Sequence, residues 1–205
     1  MKKILFILLL IYLVCSMDIS GTIVSNENDC LKISVIGISK HKRVITIECK
    51  LENISEKPLW ICIDNYSGLE RYFEIEVDEN VGKVIIKMES IIVPPGIYLE
   101  IPILSEYKKI LPKNSVDFKF DLQFPISEDL CFKSKCVKVS FKDLRLIKIV
   151  IGYYEKDLSK LEKKYINISK NDVVLIDCFW VQENPENVIS IEINKEIIEK
   201  KIEKE

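Results

Sequence analysis

The 205-residue sequence predicts an all-β fold: two packed antiparallel sheets, one short helix and a charged C-terminal tail. Three observations predict it. Short stretches alternating apolar with polar residues recur along the chain, turn residues separate them, and one segment alone has helical spacing. Period-two patterning with charged alternates puts one strand face on a core and the other in water. About eleven such strands, spaced by turn signals, have the rhythm of a β-sandwich.

Taken in order, Leu31, Ile33 and Val35 alternate with polar or small partners, as do Ile45, Ile47, Cys49 and Leu51. Phe73, Ile75 and Val77 repeat the pattern, followed by Val84, Ile86 and Met88, then Leu99, Ile101 and Ile103. Val116, Phe118, Phe120 and Leu122 form the cleanest stretch, with Asp117, Lys119 and Asp121 on the other face. Val137, Val139 and Phe141, then Ile189, Ile191 and Ile193, continue it. The expected inward set includes Ile45, Ile47, Phe118, Phe120, Val139 and Ile191. "LRLIKIVIGYY" and "DVVLIDCFWV" are nearly continuous apolar runs, as strands buried on both faces read. Between them, "EKDLSKLEKKY" is the predicted helix, with Leu158 and Leu161 on one side. "SGLE", "VPPG", "LPKNS" and "ENPEN" mark turns. Pro102 makes its strand an edge or a break. "NKEIIEKKIEKE" is a charged tail with a frayed helix.

The chain divides into a leader over 1–16, a sandwich over 17–195 and a tail over 196–205. Lys2 and Lys3 precede an unbroken apolar run from Ile4 to Val14. Eleven residues are too few for the roughly 20 that span a bilayer, but they suit a signal-peptide core. Val14 and Ser16 fit cleavage after Ser16. The alternative processing puts Cys15 at the first mature position as a lipid anchor, although Tyr12 and Val14 fit a lipobox poorly. The expected location is accordingly exported: periplasmic, extracellular or membrane-anchored.

Export changes the meaning of the cysteines. Without Cys15, six remain: Cys30, Cys49, Cys62, Cys131, Cys136 and Cys178. An even set in an exported chain suggests disulfides, with buried thiols acting as small hydrophobes as the alternative. Cys131 and Cys136 suit a short hairpin bridge. Cys49 with Cys178 is the next pairing, which leaves Cys30 with Cys62.

The phrase "ITIECKLENISEKPLWICID", followed by "FEIEVDENVGKVI" and "VPPG", carries a resemblance. It resembles the immunoglobulin-like β-sandwich of the intracellular proteinase inhibitor family of Bacillus and similar bacterial envelope modules. The matching positions are Leu51, Asn53, Ser55, Pro58, Phe73, Ile75, Val77, Gly82, Pro95 and Gly96, within roughly residues 44–103. The resemblance implies an immunoglobulin-like sandwich in which Asn53 and Ser55 bond to the local backbone while Pro and Gly set loop geometry. The six cysteines, the leader and the C-terminal extension depart from it. Protease inhibition does not follow from the fold.

Thirty basic residues nearly balance 32 acidic ones, without the clustered basic and aromatic stretch a nucleic-acid partner needs. The sole histidine, His41, lies in "SKHKRV", a predicted hairpin tip. Cys178 in an apolar strand lacks the cationic surroundings that activate a thiol. Neither paired C-x-x-C motifs nor clustered histidines support a metal, and no Gly-rich loop supports a nucleotide. Trp60, Tyr66, Arg71 and Tyr72 are interface-type residues around one loop, with capping of the sandwich ends as the structural alternative. The expected function is a non-enzymatic, exported sandwich that binds a protein or an envelope component, without cofactor. A membrane contact is expected only through Cys15. The alternatives are a secreted enzyme inhibitor acting through a projecting loop, and a small hydrolase whose acid pair is hidden by the fold.

Overall fold

The computed structural model describes residues 22–67, 70–72, 74–91, 103–128, 137–161, 166–170, 172–183 and 186–203. The leader, Cys15, the 99–102 stretch with Pro102, the "VPPG" turn, Phe73 and the Cys131–Cys136 pair lie outside these residues.

Fifteen strands are described, and the fold is an all-β sandwich. The first sheet contains β1 (Val24–Glu27), β2 (Leu31–His41), β3 (Val44–Asn53) and β9 (Ser115–Gln123), in the order β1-β2-β3-β9. The second is larger. Its main path contains β13 (Ile166–Lys170), β14 (Val173–Asp177), β8 (Ile103–Ile110), β4 (Leu59–Ser67), β12 (Leu146–Tyr154), β7 (Lys83–Met88) and β6 (Glu74–Asp78), in that order. Off this path, β5 (Glu70–Tyr72) pairs with β4 and β15 (Asn187–Asn194) pairs with β12. A two-stranded piece joins β10 (Ile126–Ser127) to β11 (Lys138–Val139). All pairs are antiparallel except β7 with β12, which run parallel from Lys83↔Leu146 to Met88↔Ile151.

The expected inward residues are all core: Ile45, Ile47, Phe118, Phe120, Val139 and Ile191 are each buried. Asp117, Lys119 and Asp121 face water. Period two thus fixes the register, because a one-residue slip would exchange the faces. The main core fills the space between β2, β3 and β9 on one side and β7, β12 and β15 on the other.

A second core lies across the large sheet. Trp60 and Cys62 of β4, Tyr107 of β8, Tyr154 of β12, and Val174 and Ile176 of β14 pack with Leu158, Trp180 and Val181. Strand β4 is therefore buried on both faces, with Leu59 and Ile61 in the first core and Trp60 and Cys62 in the second. Continuous burial explains why "LWICI" shows no alternation of polarity.

Several elements differ from expectation. The late apolar run is not one strand: β14 stops at Asp177, and Cys178–Glu183 form helix α1, which covers the second core with Trp180 and Val181. A short apolar run has the same composition whether it forms a strand or a buried helix, so periodicity could not separate them. The predicted helix contains a 3₁₀ turn at Leu158–Lys160, whose Asp157 side chain accepts from the Ser159 amide. Phe141 belongs to a turn rather than to the strand of Val139. The charged end forms helix α2 (Lys195–Ile202), and its Ile198 is buried in the main core.

Asn53 and Ser55 bond to the local backbone in the turn after β3. Asn53 is fully buried. Its Nδ2 donates to the Lys57 and Ile110 carbonyls at 2.8 and 2.9 Å, and its Oδ1 accepts from the Ser55 amide and hydroxyl. This one amide stitches β3, the following turn and β8 together. Gly82 takes φ 66°, and a Cβ there would stand 2.1 Å from the Asp143 carbonyl oxygen. Only glycine fits that approach.

Candidate functional site

The described cysteines are thiols, so the expected pairings of Cys49 with Cys178 and of Cys30 with Cys62 are not formed. The layering of the fold explains both. Cys49 is in the main core, whereas Cys178 follows β14 and opens α1. Cys62 faces the second core, whereas Cys30 packs against the first. Burial pushes the Cys49 thiol up to about 12 and raises Cys62 well above the ordinary thiol range, which suppresses the nucleophilic thiolate.

Trp60 is 1% exposed and belongs to the second core, so it offers no surface to a partner. Tyr66 lies in β4, and Arg71 and Tyr72 lie in β5; Tyr66 pairs with Arg71 in the ladder. His41 is exposed at the end of β2, beside Lys42 at φ 54°.

The structure assembles a group that sequence patterning missed. Tyr107, fully buried on β8, donates its hydroxyl to Glu186 Oε2 and also meets the Ser90 hydroxyl. The Ser90 amide donates to Glu186 Oε1 at 2.6 Å. Glu186 lies just before β15 and folds back over Gly152 of β12. Burial is the main cause that raises its carboxyl to about 7, and nearby Glu89 adds to it; the Tyr107 and Ser90 donors oppose the rise. Burial likewise raises the Glu89 carboxyl, while Lys87 counteracts. The Tyr107 hydroxyl is pushed well above its ordinary range by burial first, then by Cys62 and Glu186.

A carboxyl that exchanges its proton near neutrality has the affinity that acid–base chemistry needs. Here both of its oxygens accept hydrogen bonds from inside the fold, which ties β8, β15 and the segment after β7 into one unit. Among the described residues, no group of His, Cys, Asp and Glu could hold a metal ion. One signal for this group was in the sequence. Gly152 interrupts an apolar run, and an isolated strand glycine marks a close approach. The approaching atom is the Glu186 carboxylate.

The second feature is a cleft between β6, the end of β9 and β10. β9 ends the first sheet, and β6 ends the large one. Ile75 of β6 and Leu122 of β9 line a space of about 400 Å³ with Phe124 and Ile126, beside exposed Arg43 and Asp121. The opposite seam is joined, since Asn26 of β1 donates to the Ser190 carbonyl of β15 at 2.8 Å. Neither Glu186 nor Glu89 lines this open seam.

No protein-family model, curated protein or solved structure matches the chain.

Proposed function

We propose that the protein is a non-enzymatic, exported β-sandwich that binds a protein or an envelope component along the open β6–β9 seam. One observation supports the non-enzymatic part of this reading: Glu186, a carboxyl poised near neutrality, spends both oxygens on Tyr107 and on the Ser90 amide. The seam, in contrast, sets Ile75 beside exposed Arg43, Asp121 and Gln123, a mixed, mainly polar surface of the kind found at the rim of recognition sites. Export rests on the leader pattern of residues 1–16, and kinship with immunoglobulin-like envelope modules rests on the Asn53–Ser55–Pro58 phrase.

The test is affinity capture from the native envelope with three chains. These are the wild type, a seam variant (Asp121→Arg with Gln123→Arg) and a control on the same sheet face away from the seam (Glu48→Lys with Lys50→Glu). The wild type and the control should retain the same component, and the seam variant should lose it while melting like the wild type. Retention that ignores the seam substitutions would refute the assignment.

A further inference from the structure

We propose that two copies of the chain pair antiparallel along the outer edge of β9, which joins their first sheets into one continuous sheet. The inference goes beyond the binding reading and does not rest on the seam.

Two independent observations carry it. The first is the edge itself. β9 pairs with β3 in an unbroken register from Val44↔Gln123 to Glu52↔Ser115, and among the described residues no strand pairs with its other side. The Phe124 amide donates to the Arg43 carbonyl, and the Asn53 amide donates to that of Asn114. The even-numbered positions of β9 therefore turn their backbone groups toward β3. Backbone direction alternates along an antiparallel strand. The amides and carbonyls of Ser115, Asp117, Lys119, Asp121 and Gln123 thus point outward, and all five residues are exposed. Such a row is a template for another strand, and proteins guard against it with short, bulged or proline-bearing edges. The other outer strands follow that rule. β1 has 4 residues, β6 has 5, and the pairing of β13 shifts register between Ile168 and Lys170. β9 runs for 9 residues without proline, glycine or bulge.

The second observation is charge complementarity, and it names the occupant. A two-fold pairing centred on Lys119 would set Lys119 against the partner's Lys119 and Asp117 against the partner's Asp121, and like charges directly opposite destabilise a sheet. Centred on Phe118, the pairing sets Asp117 against the partner's Lys119, and symmetry repeats the match. Within each copy, Lys50 lies opposite Asp117 and Glu48 opposite Lys119. The row across the axis then reads Lys50, Asp117, the partner's Lys119 and the partner's Glu48, with the sign alternating throughout. Centred on Phe120, the pairing would instead leave Asp117 facing the partner's uncharged Gln123. The inner face also gains from the Phe118 axis. Phe118, at 8% the most exposed apolar side chain of the core, meets the partner's Phe118, and half-buried Val116 meets the partner's Phe120.

The experiment is sedimentation of the purified protein from about 10 μM to about 1 mM. The paired stretch, Ser115–Asp121, falls short of the roughly 20–30 residues a side of a standard interface, so the dimer is weak and depends on concentration. The mass should double across the range, and the outward amides of Asp117 and Lys119 should exchange hydrogen several-fold more slowly at its top. Asp117→Lys and Lys119→Asp each set like charges against each other twice, and each should weaken association about tenfold or more. An equimolar mixture of these two variants should dimerise again, because every lysine of one chain then meets an aspartate of the other. Lys119→Pro removes an outward amide that β3 does not use and should leave a monomer. Thermal melting of dilute samples verifies the folds, and the mixture decides the matter if Lys119→Pro fails to fold. Four results would each overturn the proposal: a wild type that stays monomeric to about 1 mM, Asp117→Lys that associates like the wild type, a mixture no tighter than its parts, or a folded Lys119→Pro that still dimerises.

Discussion

Gly152 and Glu186 occupy one space: a Cβ built on the glycine would lie 2.4 Å from Glu186 Oε2. The side chain is flexible in principle, but the Ser90 amide and the Tyr107 hydroxyl hold its carboxylate in place. Gly152→Ala should therefore cost about 1–3 kcal/mol, as over-packing does. In a Glu186→Ala background the same substitution should cost little. Urea unfolding of the four chains yields the coupling directly, and additive costs would mean that the two residues do not compete.

The acid also makes stability depend on pH. Glu186 titrates near 4.5 in an unfolded chain and near 7 in the fold, chiefly through burial. Between these values the folded chain keeps a proton that the unfolded chain has lost. The stabilisation present below pH 4.5 is thus lost progressively as pH rises through about 7. Unfolding of the wild type should become easier across this window relative to Glu186→Gln, which has no proton to lose. A constant difference between the two chains from pH 5 to 8 would contradict the raised affinity.

Strand faces are tested on β9. Phe118→Ala and Phe120→Ala should each cost about 3–5 kcal/mol, because both rings are buried and stack at 6.3 Å. Asp117→Ala and Lys119→Ala should each change stability by less than about 0.5 kcal/mol. Equilibrium denaturation separates the two sets.

Asn53→Ala removes the donor that serves the Ile110 and Lys57 carbonyls and the acceptor that serves Ser55. The expected cost is about 2–3 kcal/mol, since the Ile110 carbonyl is left without this buried partner. Ser55→Ala, which leaves the Asn53 amide bonds in place, should cost less. Thermal melts of both variants check the order.

The four described thiols should react with a maleimide after unfolding without reductant, and Cys49 and Cys62 should resist it in the native protein. Mass spectrometry of the labelled peptides decides this. Blocked Cys49 and Cys178 peptides before reduction would restore the disulfide reading.

Strand faces were legible because charged alternates such as Asp117 and Lys119 force one register. The sandwich followed from them. Strand β8 was less visible, because Ser105 and Tyr107 are polar residues at buried positions, and alternation of polarity disappears when the core itself holds hydroxyls. Helix α1 was hidden because Trp180 and Val181 are as apolar as a strand would be. The Glu186 group was invisible for another reason. Its members come from positions 90, 107, 152 and 186, and only the pairing of β12 with β15 and the crossing of β8 bring them together.

The most direct test of the proposed function is site-specific photocrosslinking in the native envelope, with a benzophenone side chain at exposed Gln123 on the seam or at exposed Lys50, on the same sheet face but away from the seam. A discrete adduct with one component should form from position 123 and not from position 50. No adduct from 123, or the same adduct from both positions, would contradict binding along the β6–β9 seam.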